Sequence, residues 1–168
     1  MKSIRQAVLA LGIIAAAAPA AKAQEEALVS FSVMKLEITV KLAEATLESC
    51  RAKGAQIAVA VVDRFGNLQT MLRDRFAGPH TPETARRKAW TAASFRSDTL
   101  TLSQTTAPGA EAYGANFVTG ALMLGGGVPV EANGSIVGAV GVSGAPGGEM
   151  DDACARDGID AVAADLAF

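Results

Sequence analysis

The 168-residue sequence contains a single histidine and only two cysteines. Neither Cys50 nor Cys154 has a second cysteine or a histidine at ligand spacing, which excludes a zinc-type site. Ser143 lies in Gly-Val-Ser-Gly, lacks the Gly-x-Ser-x-Gly spacing and has no histidine after it, so a hydrolase triad of the usual order is excluded. The glycine-rich stretches at 125–127 and 144–148 lack both the strand-to-helix spacing and the lysine of nucleotide-binding loops. No internal repeat and no low-complexity run is visible beyond the N-terminus. No apolar run is long enough to span a bilayer.

The N-terminus combines Lys2 and Arg5, an apolar run from Ala7 to Ala18, Pro19 and the end Ala21-Lys22-Ala23. A positive start, a short apolar middle and an Ala-x-Ala end predict a secretory signal peptide over residues 1–23, cleaved after Ala23. No polar face exists between Ala7 and Ala18 that would suit a surface helix of the fold. The remaining residues, 24–168, are the size of one domain. Cleavage would leave 12 basic against 17 acidic residues, a net charge of minus five, which speaks against nucleic acid and anionic membrane as partners. The expected location is periplasmic or secreted. That compartment permits Cys50 and Cys154 to pair, while two small buried hydrophobes are the alternative reading.

From about Ser32 to Lys53 a helix is predicted, with Leu36, Val40, Ala43, Leu47 and Cys50 as its apolar stripe and Gly54 as its left-handed stop. Gln56 to Val62 reads as a buried strand, Asp63 to Asn67 as its turn, and Leu68 to Arg73 as the antiparallel return. Thr81-Pro82 opens a second helix, Thr81 supplying a cap and Pro82 an early helical position. Ala85, Ala89, Ala92 and Ala93 on one side of it predict a close approach to the sheet, whereas the consecutive Arg86, Arg87 and Lys88 must point in different directions. Residues 105–119 read as irregular with a short helical turn, and as a wall of any site.

The stretch from Leu124 to Gly148 organises the rest. Gly125, Gly126 and Gly127 permit a sharp turn, and Val128 to Val130 begins a strand. Asn133-Gly134 then asks for a type I′ hairpin. The return, Ile136 to Val142, is apolar enough to be covered on both faces, and its Gly138 and Gly141 leave room for something to come close. A final helix from about Glu149 to Leu166 begins with Glu149, Asp151 and Asp152, which suit the positive end of its dipole.

Four pieces of sequence resemble the GlcG/HbpS family of haem-binding and related proteins, which includes the C-terminal domain of PduO-type proteins. They are Lys41-Leu42-Ala43-Glu44-Ala45, Ala58 to Asp63 with Gly66-Asn67-Leu68, Ala85 to Ala92, and Gly126-Gly127-Val128-Pro129 leading to Val137 to Gly144. The resemblance implies an α+β (α/β) domain: an antiparallel sheet of about five strands with helices on both faces, a profilin-like three-layer sandwich. It also implies a homo-oligomer and a haem-binding role in sensing or storage.

With haem as the implied cofactor, His80 is the candidate axial ligand of the iron, standing before a helix beside Gly78 and Pro79. The alternative is an exposed loop histidine. Met71, Tyr113 and Met123 are further possible contacts, each explicable as packing. Arg73, Arg75, Arg86 and Arg87 are candidates for the propionates, with a solvated face as the commoner use. Gly126 and Gly127 complete the expected pocket. Two other functions stay open: a module binding another small planar or organic-acid ligand near Gly125 to Gly127, and an enzyme using Asp63 or His80. No catalytic set is found, and Asp63 before a glycine turn is more often turn chemistry.

Overall fold

The computed structural model describes residues 27–167. The chain divides into two units, Met1–Ser30 and Phe31–Phe168. Of the first, residues 27–30 are exposed and belong to no helix or strand, and the expected signal peptide, residues 1–23, lies outside the described residues. The second unit holds α1 (Leu36–Ala52), β1 (Ala58–Asp63), β2 (Leu68–Arg73), α2 (Thr81–Phe95), α3 (Thr99–Thr105), a 3-10 helix (Glu111–Phe117), β3 (Gly127–Ala132), β4 (Ser135–Ser143) and α4 (Gly148–Leu166).

The strands form one antiparallel sheet in the order β2-β1-β4-β3. Helices α1 and α4 cover one face and α2 the other, the three-layer arrangement expected. The described sheet has four strands against the expected five: the two hairpins supply all of them. The hairpin signals hold, since Asn133 and Gly134 adopt φ of 50° and 71°, the pair of positive values that a type I′ turn requires.

The two faces of the sheet carry different residues, and this decides how each helix packs. Ile57, Val59, Val61, Val130, Val140 and Val142 point toward α1 and α4. Ala58, Ala60, Val62 and Ala139 meet Ala85, Ala89, Ala92 and Ala93 of α2. Small side chains on both partners bring the α2 backbone so near that a Cβ on Gly141 would overlap the carbonyl of Ala85 and sit 2.6 Å from the amide nitrogen of Ala89. The close-coming partner foreseen for β4 is therefore a helix of the protein itself.

On the opposite face, α1 buries Thr39, Leu42, Ala43, Thr46, Leu47 and Cys50. The expected stripe is thus shifted: Leu36 is exposed and Val40 half-buried, while Thr39 and Thr46 turn inward. A threonine can do this because its hydroxyl returns to the helix, Thr46 Oγ1 donating to the Leu42 carbonyl at 2.8 Å. Gly158 of α4 lies directly on Thr46, where a Cβ would collide with the hydroxyl, so this mid-helix glycine permits a tight crossing at a propensity cost of about 1 kcal/mol. Beside that crossing Cys50 and Cys154 are joined by a disulfide, their Cα atoms 5.4 Å apart.

Lys88 takes the third direction of the Arg86-Arg87-Lys88 run. It is 3% exposed, and its Nζ donates to Asp151 Oδ2 at 2.8 Å and to the Val142 carbonyl at 2.9 Å. Asp151 Oδ1 also accepts from the Ala145 amide at 3.1 Å. Burial pushes the Asp151 carboxyl up, against the opposing pull of Lys88. One ammonium thus ties α2 on one face to the end of β4 and the start of α4.

Two stability outcomes are expected. Lys88→Met strands a buried carboxylate and should cost about 3–5 kcal/mol in chemical denaturation, with much of it regained in Lys88→Met/Asp151→Leu. Replacing both cysteines by alanine reopens a span of 104 residues. By chain entropy that should cost up to about 4.7 kcal/mol, read as a lower denaturation midpoint with an unchanged far-UV spectrum.

Candidate functional site

The connection from β2 to α2, residues 74–80, carries His80, and a buried carboxylate fixes it. Asp74 is 4% exposed. Its Oδ1 accepts from Arg51 Nε at 2.9 Å and Nη2 at 2.6 Å, and its Oδ2 accepts from the Ile57 amide at 3.0 Å. Its backbone continues the sheet, the Asp74 amide donating to the Ile57 carbonyl at 2.8 Å, and its carbonyl accepts from the Ala77 amide at 3.2 Å. Hydrogen bonds to Asp74 and Glu48 raise the already high pKa of Arg51. Arg73 closes the loop from the other side by donating Nη2 to the Ala77 carbonyl.

Beyond Ala77 the chain turns into α2. The Thr81 amide and hydroxyl both donate to the Gly78 carbonyl, at 3.0 and 2.8 Å. This corrects the expected role of Thr81: it is the first helical residue and its hydroxyl is spent backwards, while His80 occupies the N-cap without a side-chain cap bond. The His80 imidazole is exposed and lies over Gly78, where a Cβ would come within 2.7 Å of Cε1, 2.9 Å of Nδ1 and 3.8 Å of Nε2. Of the two ring nitrogens, Nε2 is the farther from Gly78. Phe76 stands out at 79% exposure, and an open cleft of about 470 Å³ runs past it between Arg51, Gln56, Arg73, Asp74 and Arg75.

The remaining site candidates do not share this place. Arg86 lies on α2 and is held by Glu83, with Nε to Oε2 at 2.8 Å and Nη2 to Oε1 at 2.7 Å. Arg87 donates to the carbonyls of Gly120 and Ala121, so it anchors the connection before β3. Tyr113, on the 3-10 helix, packs edge-on to Phe117 at 5.5 Å between centroids. Met71 is half-buried against the alanine cluster, and Met123 is buried.

Gly126 and Gly127 are buried and face protein. A Cβ on Gly126 would lie 2.6 Å from Asp151 Cβ, and one on Gly127 would overlap the Lys88 carbonyl. Register puts Arg73 opposite Ala58, Ala58 opposite Ser143 and Gly127 opposite Gly141. The loop of His80 and the glycines thus sit at opposite edges of one end of the sheet, three strand spacings or about 14 Å apart.

Asp63 resolves into turn chemistry. Its Oδ1 accepts from the amides of Phe65 at 2.8 Å and Asn67 at 3.0 Å, and its Oδ2 accepts from the Asn67 side chain at 3.0 Å. Partial burial would raise its pKa, but these bonds outweigh that and hold the carboxyl below its usual value. A carboxylate kept ionised by its own turn is a poor proton shuttle near neutral pH. No group of three or more His, Cys, Asp or Glu able to hold a metal ion occurs among the described residues. Sequence reasoning passed over Asp74. The available signal was an aspartate directly after a strand and before a Gly-Pro loop.

The model of the family described as "Haem degrading protein HbpS-like" matches residues 34–160. The chain is 35% identical over 113 residues, 64% of its own length and 80% of the relative's, to an uncharacterized 15.0 kDa protein of the dhaT-dhaS intergenic region of Citrobacter freundii. Among solved structures it is similar to a double mutant of Streptomyces reticuli HbpS, with a TM-score of 0.76, 39% identity and coverage of 86% of this chain and 97% of that one. Klebsiella pneumoniae protein ORFY superposes with a TM-score of 0.80 at 27% identity, covering 84% and 98%. The complex of PduOC with haem gives 0.71 at 27% identity, covering 77% and 94%. With a family model spanning most of the chain and the same fold in these relatives, the protein belongs to the HbpS-like family.

Proposed function

We propose that this chain is an exported haem-binding protein of the HbpS type, in the periplasm or secreted, that holds haem iron through His80 Nε2. The observation that carries this reading is the rigidly held 73–80 loop. It carries an exposed imidazole at His80 and, earlier in the same loop, the exposed Phe76 ring with Arg73 and Arg75 along one open cleft. Imidazole suits ferric and ferrous iron, an aromatic ring suits the porphyrin face, and guanidinium forks suit propionates. When bound, haem would supply the iron chemistry. The chain's own part is to present the ring on a loop that the Asp74 and Arg73 bonds hold to the sheet edge.

Because the imidazole is exposed, one copy of the chain leaves most of a bound macrocycle in water. Homo-oligomerisation, with a second copy covering the open face, follows as part of the same proposal. The reading is one of holding, for sensing or storage. The family description names haem degradation, and a single measurement separates the two: the Soret band of the haemin complex under ascorbate and oxygen should persist if the protein holds haem and decay if it degrades it.

Haemin titration of the wild-type chain should give a saturable Soret band. His80→Ala should weaken binding at least tenfold and shift the band, with an unchanged melting temperature. Asp74→Asn loosens the loop and should weaken binding severalfold through dissociation rate while leaving the Soret position fixed. A His80→Ala protein with the parent's spectrum and affinity would remove His80 from the proposal.

A further inference from the structure

At the far end of α2 from His80 lies a second cleft, of about 280 Å³, lined by Phe31, Arg64, Phe65, Ser94, Arg96 and Ile136. It is assembled from the chain leading into α1, the β1–β2 turn, the end of α2 and the start of β4. Phe31 and Phe65 stand edge to face, 5.5 Å between centroids, yet both remain more than half exposed, at 52% and 61%. The guanidinium of Arg64 lies 4.2 Å above the Phe31 ring and 5.8 Å from that of Phe65.

This cleft gathers two unspent donors. Arg51, Arg73, Arg86, Arg87 and Arg156 each donate to a carboxylate or a carbonyl. Among the described residues, Arg64, Arg75 and Arg96 have no side-chain hydrogen bond or ion pair; Arg75 stands alone on the β2–α2 loop, whereas Arg64 and Arg96 line one cleft that contains no acidic side chain. Arg96 also borders a cleft of about 550 Å³ with Asp98, Glu131 and Asp160. Arg96 is moreover held at φ 54°, left-handed backbone that a branched or bulky residue seldom adopts and that asparagine or glycine would adopt more easily. Two forks with free N–H groups beside two phenyl rings match a molecule with an anionic and an aromatic end. An apolar cavity of about 150 Å³ holds one benzene ring, so the space here suits one or two fused rings rather than a macrocycle.

We infer that the Phe31–Arg64–Phe65–Arg96 cleft binds a small aromatic carboxylate, its ring against the two phenylalanines and its carboxylate between the two guanidinium groups. This site is separate from the haem loop and stands or falls without it.

The test titrates the intact disulfide-bonded protein with fluorescent 2-naphthoate and, in parallel, with neutral 2-naphthylmethanol, while amide shifts are followed by NMR. The acid should bind saturably and at least tenfold tighter than the alcohol, with affinity falling as salt rises. Shifts should cluster at Phe65, at residues 93–96 and at Ile136. Arg64→Gln and Arg96→Asn should each weaken the acid fivefold or more and leave the alcohol unchanged, and neither should alter the haemin spectrum. Asparagine tolerates the left-handed backbone, so Arg96→Asn should fold. Should a variant fail to fold, the acid-to-alcohol ratio and salt dependence of the parent still decide. Equal affinity for acid and alcohol, parent-like binding by both variants, or shifts centred elsewhere would each overturn the inference.

Discussion

The position of α2 depends on one buried ammonium. Lys88 reaches past the end of β4 to Asp151 at the start of α4, so a single cation ties the helix on one face of the sheet to a helix on the other. A charge at this depth is costly unless it is paired, and here the Asp151 carboxylate and the Val142 carbonyl accept from it. The alanine-lined face explains why such a clamp is needed. Small side chains bury little apolar area each, so the grip of α2 on the sheet relies on close backbone approach more than on large interdigitating groups.

The same clamp accounts for the glycines on which the sequence is centred. Gly126 and Gly127 turn their Cα hydrogens toward Asp151, Lys88 and Thr99, and Gly141 does so toward the backbone of Ala85 and Ala89. A larger residue at any of them would push α2 away from the sheet or break the ion pair. The space they leave is filled by the protein, which separates them from any ligand hollow. Their place in the sequence follows from packing.

Much of this architecture was legible in residue patterns because its signals are local. Asn133-Gly134 specifies a hairpin by backbone sterics alone, and the alanine row of α2 announces a close-packed helix. The four strands, the helix ends at Gly54 and the final helix followed in the same way. What escaped depends on partners distant in sequence. Thr39 and Thr46 read as polar until their hydroxyls are seen to bond locally or to Thr70, and Asp74 reads as a loop aspartate until Arg51 and the Ile57 amide arrive from other elements. Lys88 is the sharpest case. The run Arg86-Arg87-Lys88 says that three cations diverge, but only the sheet shows that one goes to solvent-side Glu83, one to a loop and one into the core. The cleft of Arg64 and Arg96 was invisible for the same reason, being built from four separated stretches of chain.

Helix α2 also sets the relation between the two proposed binding surfaces. His80 occupies its N-cap position and Arg96 its C-cap, 16 residues on, so at 1.5 Å per residue they lie about 24 Å apart. That exceeds twice the screening length of about 8 Å at physiological ionic strength, so charge brought to one end is scarcely felt at the other through solvent. Coupling would have to pass through a shift of α2 itself. The Gly141 contact and the Lys88 clamp oppose such a shift, since sliding the helix by a fraction of an ångström would either force its backbone into β4 or stretch a buried ion pair. A rigid helix pinned at its middle therefore makes the two proposed surfaces independent: occupancy of one should leave the affinity of the other unchanged.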